Sequence, residues 1–222
     1  MGQHSDRARE TLLDAAEELF AQHGIDAVSN RRITEHAGTA NHSAIKYHFD
    51  GRDGLMRALL SRGREGMGER RAQLVAALPE PAPLRDVIAT QIMPWVEFLD
   101  SLPTPSWHAR FLFQVASVPS VAAILADAVR NGNGFESLIK ESFSELEGIP
   151  SPVLRGRAGV LGGMILGLCA EHEAQIEDGS ARGTWTSVGY FLVDAAAGML
   201  AAPVTHPADF ITAESKPSSF PL

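Results

Sequence analysis

The sequence predicts an all-α protein, and three observations carry the prediction. Apolar residues recur at helical spacing along most of the chain, no alternating strand pattern appears, and glycines and prolines fall between the periodic stretches. A proline-rich segment, Pro79–Pro83, divides a small N-terminal unit of short helices from a larger helical remainder.

The first helix is expected from about Asp6 to His23. Leu12, Ala16, Leu19 and Phe20 form one apolar face, Ser5 or Asp6 can cap its start, and Gly24 ends it. A short second helix follows the N-cap Ser29, turns Ile33 and Ala37 inward and stops at Gly38. A third starts at Asn41, another N-cap residue, and reaches Tyr47 or His48. Asp50 opens a long fourth helix holding Leu55, Leu59 and Leu60, with Asp53 placed to satisfy free N-terminal amides. The second half of that helix, S-R-G-R-E-G-M-G-E-R-R, contains Gly63, Gly66 and Gly68. Each glycine costs about 1 kcal/mol relative to alanine, which predicts a loose or bent stretch. Further helices are expected over 84–102, with a kink at Pro94, and over 105–117, 119–131, 133–147, 151–178 and 184–202. The last stretch, Pro203–Leu222, reads as a poorly ordered tail.

Composition narrows the function. A chain of 222 residues can bury one large core, or a small domain followed by a larger one. Its 45% hydrophobic and 21% charged content is that of a soluble globular protein. The longest apolar run, Gly159–Ala170, is glycine-rich and short for a membrane span, so no membrane partner is expected. The polar start, M-G-Q-H-S-D-R-A-R-E, resembles neither a signal nor a transit peptide. Cys169 lies in the apolar run and reads as a buried thiol. A cytoplasmic location follows as the expectation. The net charge of −8 disfavours a polyanionic partner, but charge is local. Between Ala27 and Arg52 four bases (Arg31, Arg32, Lys46, Arg52) face two acids (Glu35, Asp50), a local balance of +2.

The same stretch, S-N-R-R-I-T-E-H-A-G-T-A-N-H-S-A-I-K-Y-H-F, has the layout of a helix-turn-helix. Ile33, Ala37, Ala44, Ile45 and Phe49 are the apolar or small positions that fix its two helices against the first. Between them stand Arg31, Arg32, His42, Ser43, Lys46, Tyr47 and His48, a compact set of hydrogen-bond donors suited to phosphate oxygens and base edges. Taken singly, an arginine pair is also an ordinary solvated face, and Tyr47 and His48 also suit packing at a helix end.

The first 60 residues resemble the N-terminal domain of the TetR family of bacterial repressors. The resemblance lies in LLDAAEELFAQHGIDAVS, RRITEHAG and IKYHFDGRDGLMRALL. These follow in order the family's amphipathic first helix ending in F-x-x-x-G, its A-G ending of the second helix, its L-Y-x-H-F ending of the recognition helix and its S-K-E-x-L-like opening of the fourth. Two features depart from the pattern. The turn after Gly38, T-A-N-H-S, is one residue longer, and Lys46 replaces the first aromatic. The resemblance implies phosphate contacts from Ser29, Tyr47, His48 and Arg52, and base-edge contacts from His42, Ser43 and Lys46. Helix N-termini at Ser29 and Asp50 would add backbone amides.

The fold class is therefore an N-terminal three-helix helix-turn-helix domain plus a C-terminal helical ligand-binding and dimerisation domain. The expected boundaries are 1–52 for DNA binding, 53–78 for a connecting helix, 79–202 for ligand sensing and dimerisation, and 203–222 for the tail. The resemblance implies a dimer whose last two helices pair with their two-fold mates, and Gly163, Gly167, Leu192 and Ala196 are the expected contacts. Small residues let helices approach closely, although they serve packing within one subunit equally well. The expected partners are double-stranded DNA carrying a palindromic operator, a second copy of the chain and a small-molecule effector, with no cofactor and no metal. A ligand cavity would draw on Met93, Phe98, Trp107, Phe111, Phe135 and Met164, with Gln114, His108, Arg110 and His172 as polar groups to orient a largely apolar effector.

Two other function classes stay in view. A helical protein-interaction module would keep the fold without DNA binding. An enzyme finds less support, because no phosphate loop, G-x-G-x-x-G or G-x-S-x-G occurs. The run H-E-A-Q-I from His172 starts like a zinc-protease motif but has Ile176 where the second ligand must stand.

Overall fold

The computed structural model describes residues 2–39, 41, 43–118, 121, 146 and 148–205 and is helical, with no strand among them. The helices are α1 (Gly2–His23), α2 (Asn30–His36), α3 (Ala44–Phe49), α4 (Arg52–Ser61), α5 (Arg64–Ala76), α6 (Leu84–Asp100), α7 (His108–Ser117), α8 (Ser151–Asp178) and α9 (Trp185–Ala201). The helices expected over 119–131 and 133–147, and the tail beyond 205, lie outside the described residues.

Local signals set most boundaries. α1 starts before Ser5 and Asp6, which therefore lie within it rather than capping it, and Gly24 ends it at φ +83°. Ser29 caps α2 as expected, its Oγ accepting from the Arg32 amide at 3.2 Å. Asn41 does not cap α3. Its Oδ1 accepts from the Ser43 amide at 3.0 Å, a local side-chain turn that delays the helix to Ala44. Nor does Asp50 open the fourth helix. It ends α3 in the left-handed region at φ 59°, and Gly51 at φ 104° hands the chain to α4. A Cβ on Gly54 would collide with the Phe49 carbonyl, so glycine is what lets α4 start against the end of α3.

The connecting helix expected over 53–78 is in two pieces. α4 stops at Ser61 and α5 starts at Arg64. Gly63 makes the break at φ +70°, with the Phe98 ring in the space a Cβ would need. Gly66 and Gly68 lie within α5, and the helix continues through them. Pro94 is likewise buried inside α6, which runs past it to Asp100.

Two apolar clusters organise the molecule. The first joins α1 to α4 through Leu13, Phe20, Ile33, Ile45 and Leu55 and is completed by Phe111 and Val115 of α7. Phe20 and Phe111 stack with centroids 6.0 Å apart. The second cluster holds α6, α8 and α9 around Ile92, Val96, Leu161, Trp185 and Leu192, with Ala109 of α7 at its edge. α7 is thus common to both. Its start is fixed by Glu173 of α8, whose carboxylate accepts from the amides of Ala109 at 3.1 Å and Arg110 at 3.0 Å and from Ser106 Oγ at 2.7 Å. A buried carboxylate is tolerable there because helix N-terminal amides are free donors at the positive end of the dipole.

Candidate nucleic-acid interface

α2 and α3 present one exposed surface rich in donors. Arg31, Arg32, Ser43, Lys46 and Tyr47 are exposed, Tyr47 with 78% of its surface open. An aromatic that open gains nothing from the core and is available to a partner. The frame beneath is fixed: Ile33, Ala44, Ile45 and Phe49 are buried in the first cluster, so the intervening positions must point outward. Arg31 bonds Glu35 at 2.7 Å, which raises its already high pKa, while Arg32 and Lys46 form no ion pair among the described residues. His48 is half-buried and edge-on to Tyr47 at 4.8 Å, which orients the phenol. Ser29 is exposed but its hydroxyl already serves the N-cap. His42 lies outside the described residues.

Arg52 departs from the expected phosphate contact. Its guanidinium turns inward, donating to the Ile25 carbonyl at 2.5 Å and to Asn30 Oδ1 at 3.3 Å, and sits 4.9 Å from the Phe20 ring centroid. Burial lowers its pKa, with Asp26 and Asp53 opposing. Arg52, half-buried, therefore ties α4 to the loop before α2 and to the first residue of α2.

A cleft of about 540 Å³ opens where α1, the Arg62–Gly63 break and the α6–α7 connection meet. Phe98 and Trp107 line it, as does His108. The other residues expected around a ligand are elsewhere. Phe111 is wholly buried in the first cluster, while Met93 and Met164 pack on the second. Gln114 is half-buried beside Gly24, and His172 is buried edge-on to Trp185 at 4.7 Å. Phe135 lies outside the described residues. Burial lowers the pKa of His172, and its Nε2 has no hydrogen-bond partner among the described residues. His172 and Glu173 are thus absorbed by packing and by the α7 cap, and no group of three metal-ligating side chains occurs among the described residues.

The cleft is walled by charge that sequence reading passed over. Arg62 donates to Glu17 at 2.8 Å, Asp14 at 2.5 Å and Glu10 at 3.1 Å, and Glu17 also meets His108 Nδ1 at 2.5 Å. Burial works against the Arg62 charge, but Glu17, Asp14 and Glu10 outweigh it and raise its pKa. A signal for this existed: Glu17 lies on the stripe Leu13, Glu17, Phe20, an acid within an apolar face.

On α8 and α9 the expected dimer contacts divide. Leu192 and Ala196 are buried within one chain, because α9 lies close on α6; a Cβ on Gly189 would stand 2.7 Å from Val96 Cγ2. Gly167 faces the Phe113 ring of α7, and Gly163 is half-buried. The outward apolar side chains are instead Val160, Tyr190 and Phe191, 61%, 55% and 59% exposed. α8 also has an 18-residue window of mean hydropathy 1.4, longer and more apolar than the sequence reading allowed. By length and composition it could cross a membrane; a third of that window is buried, its Leu161, Ile165 and Cys169 pack in the second cluster, and its buried Glu173 caps α7.

Residues 12–59 match the family model for bacterial regulatory proteins of the tetR family. No curated protein sequence matches the chain. Among solved structures, a TetR family transcription regulator from Marinobacter aquaeolei VT8 is similar with a TM-score of 0.57 and 17% identity, over 90% of this chain and 98% of that one. At that identity the likeness is one of fold.

Proposed function

We propose that this chain, whose residues 12–59 match the family model for bacterial regulatory proteins of the tetR family, is a DNA-binding regulator that represses transcription as a homodimer on a palindromic operator and is released by a small, largely apolar ligand. The exposed donor surface of α2 and α3, held on a fully buried frame, is the observation that supports the reading. Lys46 and Ser43 meet base edges, Tyr47 and His48 meet phosphates, and Arg31 and Arg32 lie within reach of the backbone. One recognition helix reads too few bases for useful specificity. Two copies about one DNA turn apart, roughly 34–36 Å, read an inverted repeat.

The second copy docks on the outer sides of α8 and α9, where Val160, Tyr190 and Phe191 leave large apolar surface in water. Gly163 allows close approach on the same helix as Val160. The effector site is the junction cleft, whose volume of about 540 Å³ suits a small organic molecule. An occupant there touches the Arg62–Gly63 break, and α4 rests on the end of the recognition helix through Gly54. A ligand that favours one setting of that break shifts the dimer away from operator spacing.

Selection of bound DNA from a random pool tests the reading. Enrichment of an inverted repeat, with affinity falling as salt rises, is the expected result. A strictly monomeric protein that enriches no sequence would instead make the fold a protein-interaction module.

A further inference from the structure

The junction cleft has two unlike walls. α1 supplies Asp14, Glu17 and Glu18; the α6–α7 side supplies Phe98, Leu102, Pro103, Pro105 and Trp107. Arg62 is the lining guanidinium, and Glu10, Asp14 and Glu17 already engage it. The lining therefore carries an excess of negative charge.

Each class of ligand meets these walls differently. An anion would approach three carboxylates and find its opposite charge in Arg62 already matched. A neutral apolar molecule would strip water from Asp14 and Glu18 and return no hydrogen bond, which is costly. A cation finds open acceptors, because a carboxylate has about four lone-pair sites. The Asp14 side chain is 68% exposed with one oxygen on Arg62, and Glu18 is 32% exposed with one oxygen on Gln22 and the other on His36, each oxygen keeping a lone pair.

We propose that the largely apolar effector carries one positive charge: an amphipathic organic cation bound in this cleft, its charge between Asp14 and Glu18 and its apolar part on Phe98 and on the Trp107 face that Arg110 leaves free. This rests on the ligand-released reading above and gives the ligand its chemistry and place. The bound cation competes with Arg62 for Asp14, which loosens the tie between α1 and the α4–α5 break.

The test titrates benzyltrimethylammonium into the full-length protein by calorimetry, beside 4-tert-butylbenzyl alcohol and 4-tert-butylbenzoate as neutral and anionic analogues. The cation is expected to bind at least about tenfold more tightly than either analogue. The Asp14→Asn/Glu18→Gln double variant should lose that preference, and Trp107→Leu should weaken binding of all three. Melting curves establish that each variant is folded. Equal binding of the three probes, unchanged cation binding by the double variant, or no cation binding at millimolar concentration would each overturn the proposal. The same titration with labelled operator DNA separates the two readings. Tight cation binding without DNA release upholds the cleft and removes ligand-released repression, whereas release by an uncharged compound without cation binding does the reverse.

Discussion

Glu17 shows how one residue ties the N-terminal helices to the rest of the chain. It is 7% exposed and bridges Arg62 and His108, which stand 45 and 91 residues further along. Removing one member of such a buried group leaves charge without a partner. Glu17→Ala is expected to cost about 3 kcal/mol, seen in urea denaturation as a lower midpoint with unchanged slope. Periodicity marks Glu17 as an oddity on an apolar stripe, but it carries no information about partners so distant in sequence. The inward bonds of Arg52 were illegible for the same reason: its charge was visible, while its partners Ile25 and Asn30 depend on how α4 folds back. Cys169 illustrates the opposite case, a residue legible from its apolar neighbours. Burial pushes its thiol up to about 12, so native protein should not react with a disulfide reagent at pH 8 and should react fully in denaturant. His172 gives a pH effect whose sign follows from its depressed pKa. The unfolded chain takes up the proton first, so its contribution to stability is complete above about 6.5 and is lost as pH falls below that value. A His172→Phe variant should show a smaller loss of stability between pH 7 and 5.5 than the parent protein.

At the scale of the element, the glycines of the α4–α5 region separate into two kinds. Gly63 has a positive φ and the Phe98 ring against it, whereas Gly66 is inside α5 with open space where a Cβ would go. Gly63→Ala should therefore destabilise by about 2 kcal/mol or more, and Gly66→Ala should stabilise by up to about 1 kcal/mol. Paired thermal melts check both directions, and equal effects would disprove the assignment of the break to Gly63. Glycine content announced a weak stretch, but which glycine breaks it depends on α6, some thirty residues away. Boundaries set by local chemistry were legible: Gly24 after α1, Ser29 before α2, and both ends of α8. Which side of α9 faces inward was not legible. Its alanines and leucines suit either side, and contact with α6 made Leu192 and Ala196 interior.

At the scale of the whole molecule, the proposed dimer and operator predict that Tyr190→Glu with Phe191→Glu yields monomers in sedimentation and abolishes tight DNA binding while the chain stays folded. Arg32→Ala should flatten the salt dependence of binding by about one unit per half-site, and Lys46→Ala should relax base preference as well as weaken it. The sharing of α7 between the two apolar clusters has its own outcome. Excised at residue 78, the helix-turn-helix unit would lose Phe111 and Val115 and bare the Phe20 ring that stacks on Phe111. Such a fragment should melt without cooperativity and bind a hydrophobic dye. The unit is thus not a transplantable cassette: a chimera that grafts it onto another helical domain must bring α7 along, or supply a helix that fills the same two gaps.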